Sequence, residues 1–155
     1  MAGIVGNNLL AQVGFIVKDI ETTKRKWAEF LGVDVPPTVD AGQYEVTQTV
    51  FEGKPAPEPA ALLAFFDVGP GLQIELIQPN EAPSTWRNFL NEHGEGMHHV
   101  AFQVKNSAEQ VKNAEKAGLR LVQHGLYGDA GGEYNYLDAP DLKCIVELLE
   151  SYPRA

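Results

Sequence analysis

The sequence predicts an α+β fold in which two paired βαβββ modules form one curved, mostly antiparallel sheet around a cleft. The first observation is an internal repeat, because residues 12–18 and 99–105 share the same alternation of apolar and polar side chains. The second is that both copies close alike, since residues 71–76 match residues 143–148. The third is a helical pattern directly after the first strand of each copy. Such a repeat is typical of duplicated modules that share one core.

The first module is predicted to cover residues 9–79. Alternating apolar residues predict its strands, and an apolar stripe that ends at Gly32 predicts its helix. The proline-rich stretch 54–59 is expected to stay outside any ladder, since proline lacks the backbone donor. The predicted elements are a strand over 9–17, a helix over 20–31, and strands over 44–52, 61–68 and 72–78.

A connector over residues 80–96 and a second module over residues 97–150 complete the prediction. The connector contains a short helix from Ser84, a suitable N-cap, to residue 93. Neither module alone has enough apolar surface for a good core, so residues 1–155 are expected to form a single domain. The second module is predicted to contain a strand from residue 97, a helix over 107–117, and strands over 119–123, 133–137 and 142–149.

Composition excludes several classes of protein. The chain has 155 residues and a formal net charge of -9, which argues against binding to nucleic acid or to an anionic membrane surface. Its one cysteine, Cys144, rules out an internal disulfide and favours a buried apolar role. Because no apolar run approaches the roughly 20 residues of a membrane span, and no secretory leader is recognisable, a cytoplasmic protein is expected.

The repeat delivers one polar, metal-capable side chain at each end of each copy. Strand alternation places these four side chains on the surface opposite the bulky apolar residues. Glu75, Glu147 or Gln12 alone is more simply a polar residue on a wet sheet face, and His99 alone is equally well explained as a core histidine, but their matched placement favours a shared site. Two carboxylates, an amide and an imidazole suit Mg, Mn, Co, Ni, Fe or Zn. The predicted ligands of one divalent metal ion are Gln12, Glu75, His99 and Glu147. His98 is predicted to point to the opposite face and to be structural.

Several motifs together resemble the vicinal oxygen chelate (VOC) superfamily, which includes glyoxalase I, methylmalonyl-CoA epimerase, extradiol dioxygenases and bleomycin-resistance proteins. These motifs are the strand GMHHVAFQV at 96–104, the strand ends IEL at 74–76 and VEL at 146–148, and the turn DAPD at 138–141. The resemblance covers about residues 9–150. It implies the glyoxalase/bleomycin resistance/dioxygenase fold, the same four metal ligands, and a homodimer. It also places Gln48 where epimerases carry a second base, which makes Gln48 a candidate substrate-binding residue.

The resemblance and the ligand set together suggest a function. We expect a metal-dependent isomerase, epimerase or lyase that acts on a small carbonyl compound through an enediolate-type intermediate. Glu147 is the first candidate for the catalytic proton carrier and Glu75 the second. The alternative is a metal-free protein of the bleomycin-resistance type, which uses the same cleft to sequester a small molecule.

Overall fold

A computed structural model describes residues 3–154 of the chain. The first half contains six strands and two helices, and the second half contains four strands, two helices and a 3-10 turn at Pro140–Leu142. In the first half these are β1 Leu10–Ile16, α1 Ile20–Leu31, β2 Val39–Asp40, α2 Tyr44–Thr47, β3 Val50–Phe51, β4 Lys54–Pro55, β5 Ala61–Gly69 and β6 Leu72–Pro79. In the second half they are α3 Thr85–His93, β7 Gly96–Gln103, α4 Ser107–Lys116, β8 Arg120–Leu126, β9 Gly132–Ala139 and β10 Cys144–Ser151.

All ten strands belong to one sheet, in the order β2-β5-β6-β1-β7-β10-β9-β8-β3-β4. The strands β1 and β7 run antiparallel at its centre, and each has a parallel partner on its other side, β6 and β10 respectively. The two modules are therefore related by a local twofold between β1 and β7. They pair within one chain, and the predicted α+β architecture with an unclosed curved sheet is confirmed.

Three apolar clusters fix the helices on the two faces of the sheet. The helix α1 packs on the first module through a cluster that includes Ile20 and Phe66, and α4 packs on the second module through a cluster that includes Val111 and Leu148. The helix α3 packs with a third cluster around Trp86, which also contains Tyr134 and Tyr136 from the second module. Because α3 joins residues of both modules, it encloses the space beside the central strands.

The helix ends agree with the signals in the sequence. The carboxylate of Asp19 accepts a hydrogen bond from the backbone N–H of Thr22, and Gly32 ends α1 in the left-handed conformation with φ of 70°. The hydroxyl of Ser84 accepts from the backbone N–H of Arg87 at 3.0 Å and so caps α3. None of the helices within residues 3–154 is long and apolar enough to cross a bilayer.

The segment between α1 and β5 differs from the prediction. Residues 44–52 were expected to form a strand, but Tyr44–Thr47 is a helical turn, and only Val50–Phe51 pairs, with β8 of the second module. The proline-rich stretch also contributes a two-residue strand, in which Pro55 pairs with Val50 at the outer edge of the sheet. An edge position leaves one side of the strand without ladder bonds, which is where proline is tolerated.

Candidate metal centre

The four predicted ligands lie on the four central strands of the sheet, one on each. Glu75 is on β6, Gln12 on β1, His99 on β7 and Glu147 on β10. The register of these strands brings the side chains together. Gly14 of β1 is paired with Glu75 of β6 on one side and with His99 of β7 on the other. All four side chains are buried, with exposed fractions of 7% for Gln12 and Glu75, 3% for Glu147 and 0% for His99.

The ligand atoms converge on one point between these strands. His99 Nε2 lies 3.0 Å from Glu147 Oε2 and 3.4 Å from Glu75 Oε2. The Gln12 amide oxygen lies 3.2 Å from His99 Nε2, and this end of the amide is 3.0 Å from the Glu75 carboxylate and 3.2 Å from that of Glu147. Ligands placed about 2.1 Å from a shared cation are expected to lie about 3.0 to 3.4 Å apart. The observed separations are of this size.

The hydrogen-bonding chemistry of the cluster also fits a cation. The donor set is compatible with both states of the site. With a metal, the Gln12 oxygen, both carboxylates and His99 Nε2 can all be ligands, and without one the Gln12 amide, turned so that its nitrogen faces the carboxylates, can donate to both of them. Oxygen and imidazole donors suit a divalent ion such as Mg, Mn, Co, Ni, Fe or Zn.

Charge and burial set the protonation of the cluster. Burial alone would lower the pKa of His99, but the charge of Glu147 and hydrogen bonds to both carboxylates outweigh it and raise that pKa to about 10. Burial raises the pKa of Glu75 above its ordinary value, and the hydrogen bond from His99 offsets part of this effect. In the absence of a metal, a protonated imidazole therefore holds the two carboxylates together. A cation would take over that role.

Gly14 is a part of the site that the sequence analysis did not single out. A Cβ atom at this position would lie 2.0 Å from His99 Cε1 and 2.6 Å from Nε2. The imidazole occupies the space that a side chain on β1 would fill, so only glycine is compatible with this position of His99. The signal was present, because Gly14 is a glycine inside a strand pattern, two residues after the candidate ligand Gln12 and on the same face.

The prediction that His98 points away from His99 is wrong. The register of β7 against β1 shifts between Gly14 and Phe15, which leaves His98 as an extra residue in a β-bulge. The bulge places His98 Nδ1 3.0 Å from His99 Nδ1. Burial lowers the pKa of His98 well below its ordinary value, so His98 is neutral and accepts the hydrogen bond from His99. This bond fixes Nε2 of His99 toward the carboxylates, as metal-binding histidines commonly require.

A cavity of about 640 Å³ opens onto the cluster, and we call it the main cavity. Its size is suited to a small organic molecule. Gln12, Glu75 and Glu147 form one part of its wall. Other lining residues come from β5, α3 and the second module, and include Leu63, Phe65, Trp86, Tyr134 and Leu149.

Gln48 does not line the main cavity within the described residues. It ends α2 in the left-handed conformation, and its exposed amide donates to the backbone carbonyls of Tyr44 and Glu45. The neighbours on either side, Thr47 and Thr49, do line the cavity and are buried. The expected strand would have directed Gln48 inward, but the helical turn directs the two threonines inward instead.

A curved sheet of two βαβββ modules with one candidate ligand on each central strand defines the class of vicinal oxygen chelate proteins. The family model described as the glyoxalase/bleomycin resistance protein/dioxygenase superfamily matches residues 11–136. The chain belongs to this superfamily. Among curated proteins, the uncharacterized protein YqjC of Bacillus subtilis (strain 168) is 35% identical over 60 residues, and this match covers 39% of the chain and 42% of YqjC.

Solved structures with the same fold include two methylmalonyl-CoA epimerases. The enzyme from Mycobacterium tuberculosis is 24% identical with a TM-score of 0.64, and the match covers 93% of this chain and 88% of the other. A variant of the Streptomyces coelicolor enzyme, in complex with 2-nitronate-propionyl-CoA, is 21% identical with a TM-score of 0.63 over 93% and 97% of the two chains. At such identities the likeness establishes the fold, and activity has to be argued from the site.

Proposed function

We propose that the protein is a metal-dependent isomerase, epimerase or lyase that acts on a small carbonyl compound through an enediolate-type intermediate. The observation that carries the proposal is the convergence of four ligand atoms within hydrogen-bond distance of one another at the wall of the main cavity. Family membership supports it, since proteins of this superfamily typically bind a divalent metal. Gln12, Glu75, His99 and Glu147 would hold the cation, which would supply Lewis-acid stabilisation of negative charge on substrate oxygens.

Proton transfer is assigned to the two carboxylates. Glu147 and Glu75 each contact His99 and each line the main cavity, so both reach the cluster and the space for substrate. A carboxylate beside the cavity can take a proton from carbon and return it elsewhere. Glu147 is the first candidate for this role and Glu75 the second. Burial raises the pKa of Glu75, which makes that carboxylate a stronger base than an exposed glutamate.

The charges of the main cavity favour an uncharged substrate. Four of its lining residues carry carboxylates, namely Asp40, Glu75, Asp129 and Glu147. None of the lining residues within the described chain is lysine or arginine. Away from the proposed cation, an anionic group such as a carboxylate or phosphate would meet acidic side chains here and no lysine or arginine among the described residues. We therefore propose a neutral hydroxycarbonyl compound as the substrate, whereas the Streptomyces coelicolor neighbour holds a CoA ester.

Contacts to the substrate are assigned to the buried threonines rather than to Gln48. Thr47 Oγ1 and Thr49 Oγ1 lie 3.0 Å apart and both residues line the main cavity. Their hydroxyls can donate to or accept from a substrate oxygen. A contact between Gln48 and substrate stays a prediction from the family resemblance. It would require the amide to leave the two carbonyls that it now binds.

Metal content and proton exchange test the proposal. Protein purified without chelator is analysed for bound metal, and then incubated in D2O with neutral hydroxyketones such as hydroxyacetone after loading with Ni, Co, Mn or Zn. We expect about one metal per chain and loss of the signal of the carbon-bound proton in 1H NMR spectra. Glu147→Gln should retain the fold and abolish exchange, while Glu115→Gln, on the exposed side of α4, should exchange like the wild type.

The alternative, a metal-free protein that sequesters a small molecule, predicts the opposite results for metal content and proton exchange. It requires no stoichiometric metal, no change on adding any of these ions, and binding of a small molecule in the main cavity without turnover. A homodimer and a cytoplasmic location remain predictions from the sequence and the family resemblance. Sedimentation of the purified protein and fractionation of the native cells test them.

A further inference from the structure

The main cavity is closed by apolar side chains in the direction of α3. On the sheet face that carries the candidate ligands, three of the central strands continue in this direction with an isoleucine. These are Ile16 on β1, Ile77 on β6 and Ile145 on β10. All three pack in the apolar cluster around Trp86. A substrate at the candidate metal centre therefore cannot extend a polar chain toward α3 without leaving its polar groups unpaired.

Polar side chains follow the candidate ligands in the opposite direction. Gln73 lies two residues before Glu75 on β6, and alternation puts both on one face. Gln103 and Ser151 are the last residues of β7 and β10, beyond the ligands on those strands. Because β6 runs in the opposite direction to β7 and β10, all three side chains lie toward the same edge of the sheet. They line the main cavity, and we call them its polar end.

The two amides of the polar end have unused hydrogen-bonding capacity. Gln73 Nε2 donates to Asp67 Oδ1 at 2.9 Å, and Gln103 Nε2 donates to Ser151 Oγ at 3.1 Å. Neither side-chain amide forms another hydrogen bond within residues 3–154, so each keeps one N–H and its oxygen for a ligand. Gln103 is exposed and Gln73 is half-buried, which leaves both accessible from the cavity.

The charges near the polar end favour neutral groups that both donate and accept. Asp40 and Asp129 also line the main cavity, and both are exposed. Asp40 accepts from the backbone N–H of Gly42, and Asp129 is paired with Arg154 at 2.8 Å. Exposed carboxylates give a cation little binding energy, but they accept hydrogen bonds readily. Hydroxyl groups can donate to these carboxylates and can both donate to and accept from the amides.

We propose that the polar end binds a hydroxylated chain, so that the substrate is a polyhydroxylated carbonyl compound of the sugar type. Gln73, Gln103 and Ser151 contact the hydroxyls of that chain. The position of the carbonyl group rests on the proposed function, because the candidate metal centre holds it. The contacts to the hydroxyls rest on the lining of the polar end.

Two ketones of four carbons test the proposal. Erythrulose and 1-hydroxy-2-butanone share the hydroxymethyl ketone group, but only erythrulose carries hydroxyls on the other two carbons. Protein labelled with [15N]tryptophan is titrated with each ketone, both free of metal and loaded with Zn. Trp86 lines the main cavity, whereas Trp27 on α1 is not among its lining residues and serves as an internal control. We expect the Trp86 indole signal to shift and erythrulose to bind about 25-fold more tightly, about fivefold for each of two bonded hydroxyls.

Substitutions at the two amides test the contacts themselves. Gln73→Met and Gln103→Met keep an unbranched side chain and remove the amide, so each should weaken erythrulose about fivefold. Gln110→Met on α4, which does not line the main cavity, should bind erythrulose like the wild type. The proposal is overturned if the two ketones bind with equal affinity, if the Trp86 signal responds to neither, or if neither variant weakens erythrulose.

The same ketones separate this proposal from the reaction. If neither ketone exchanges a carbon-bound proton in D2O but erythrulose binds more tightly through the two amides, the proposed function fails and the hydroxyl site stands. If 1-hydroxy-2-butanone exchanges its proton and binds as tightly as erythrulose, the proposed function stands and the hydroxyl site fails.

Discussion

Metal binding should raise the thermal stability of the protein by a predictable amount. A ligand that binds only the folded state at about 100 times its Kd stabilises that state by about 2.7 kcal/mol. For 155 residues the entropy of unfolding is about 0.33 kcal/mol/K, which converts this gain into a Tm increase of about 8 °C. The assay is thermal unfolding followed by circular dichroism, with chelator and then with Ni, Co, Mn or Zn at saturation.

The variant Glu147→Gln separates a metal centre from a structural ion pair. Removal of a residue that hydrogen bonds to a metal ligand lowers the metal affinity about 10- to 100-fold. Removal of a ligand itself should therefore lower it at least about 100-fold. At the same metal concentration the Tm increase should then fall to about 1 °C. Without metal the change should be small, about 3 °C or less, because Glu75 remains beside His99 and one of two like charges has been removed.

A purely structural ion pair is distinguished by its lack of response to metal, because the metal-free variant keeps Glu75 beside His99 in either case. Metal would then change neither the wild type nor the variant. If the wild-type Tm moves by less than about 1 °C with every ion tested, the metal centre and the chemistry proposed for it are refuted. Glu115→Gln, at an exposed site on α4, controls for the substitution itself.

Three further predictions concern single residues. Gly14→Ala should abolish metal binding, because its Cβ would lie 2.0 Å from the His99 ring, and calorimetric titration measures the loss. Ser84→Ala should lower the Tm by about 3 °C, since the cap on the N–H of Arg87 is worth about 1 kcal/mol. Glu133→Gln should flatten the decline of stability below pH 4.5. Burial raises the pKa of Glu133, but three side-chain hydrogen bonds outweigh it and lower that pKa, so the carboxylate contributes stability above pH 4.5 that is lost as the pH falls.

A matched variant controls the first of these tests, and each of the three has an outcome that contradicts it. Gly69→Ala adds a Cβ with no atom within 4 Å and should leave metal binding unchanged. If Gly14→Ala binds metal like the wild type, His99 is not held where the structure places it. An unchanged Tm for Ser84→Ala would mean that the cap contributes nothing. If the acid unfolding profile of Glu133→Gln overlays the wild-type profile, the lowered pKa of Glu133 does not contribute to the pH dependence of stability.

The positions of the four candidate ligands could be predicted from the sequence because two simple regularities determine them. Strand alternation assigned each side chain to a face, and the repeat placed the residues at matching ends of two modules. The structure brings Gln12, Glu75, His99 and Glu147 together because the strands that carry them are neighbours in the sheet. The helix ends followed from capping residues such as Ser84, which act locally.

Features that depend on contacts between distant segments could not be predicted in this way. The short strand Val50–Phe51 belongs to the first module in sequence but pairs with β8 of the second, and nothing local to it specifies that partner. Its helical neighbour Tyr44–Thr47 has the composition of a strand, but it forms a helical turn that packs against β8 of the second module. That Thr47 and Thr49 face the main cavity is therefore visible only in the structure.

The bulge at His98 shows how one backbone irregularity can orient a candidate metal ligand. A regular strand would have put His98 and His99 on opposite faces, and a slip by one residue would have removed His99 from the cluster. The extra residue instead keeps His99 opposite Gly14 and turns His98 so that its Nδ1 atom binds Nδ1 of His99. The orientation of the candidate metal ligand therefore depends on the bulge. Deleting the bulge should impair metal binding.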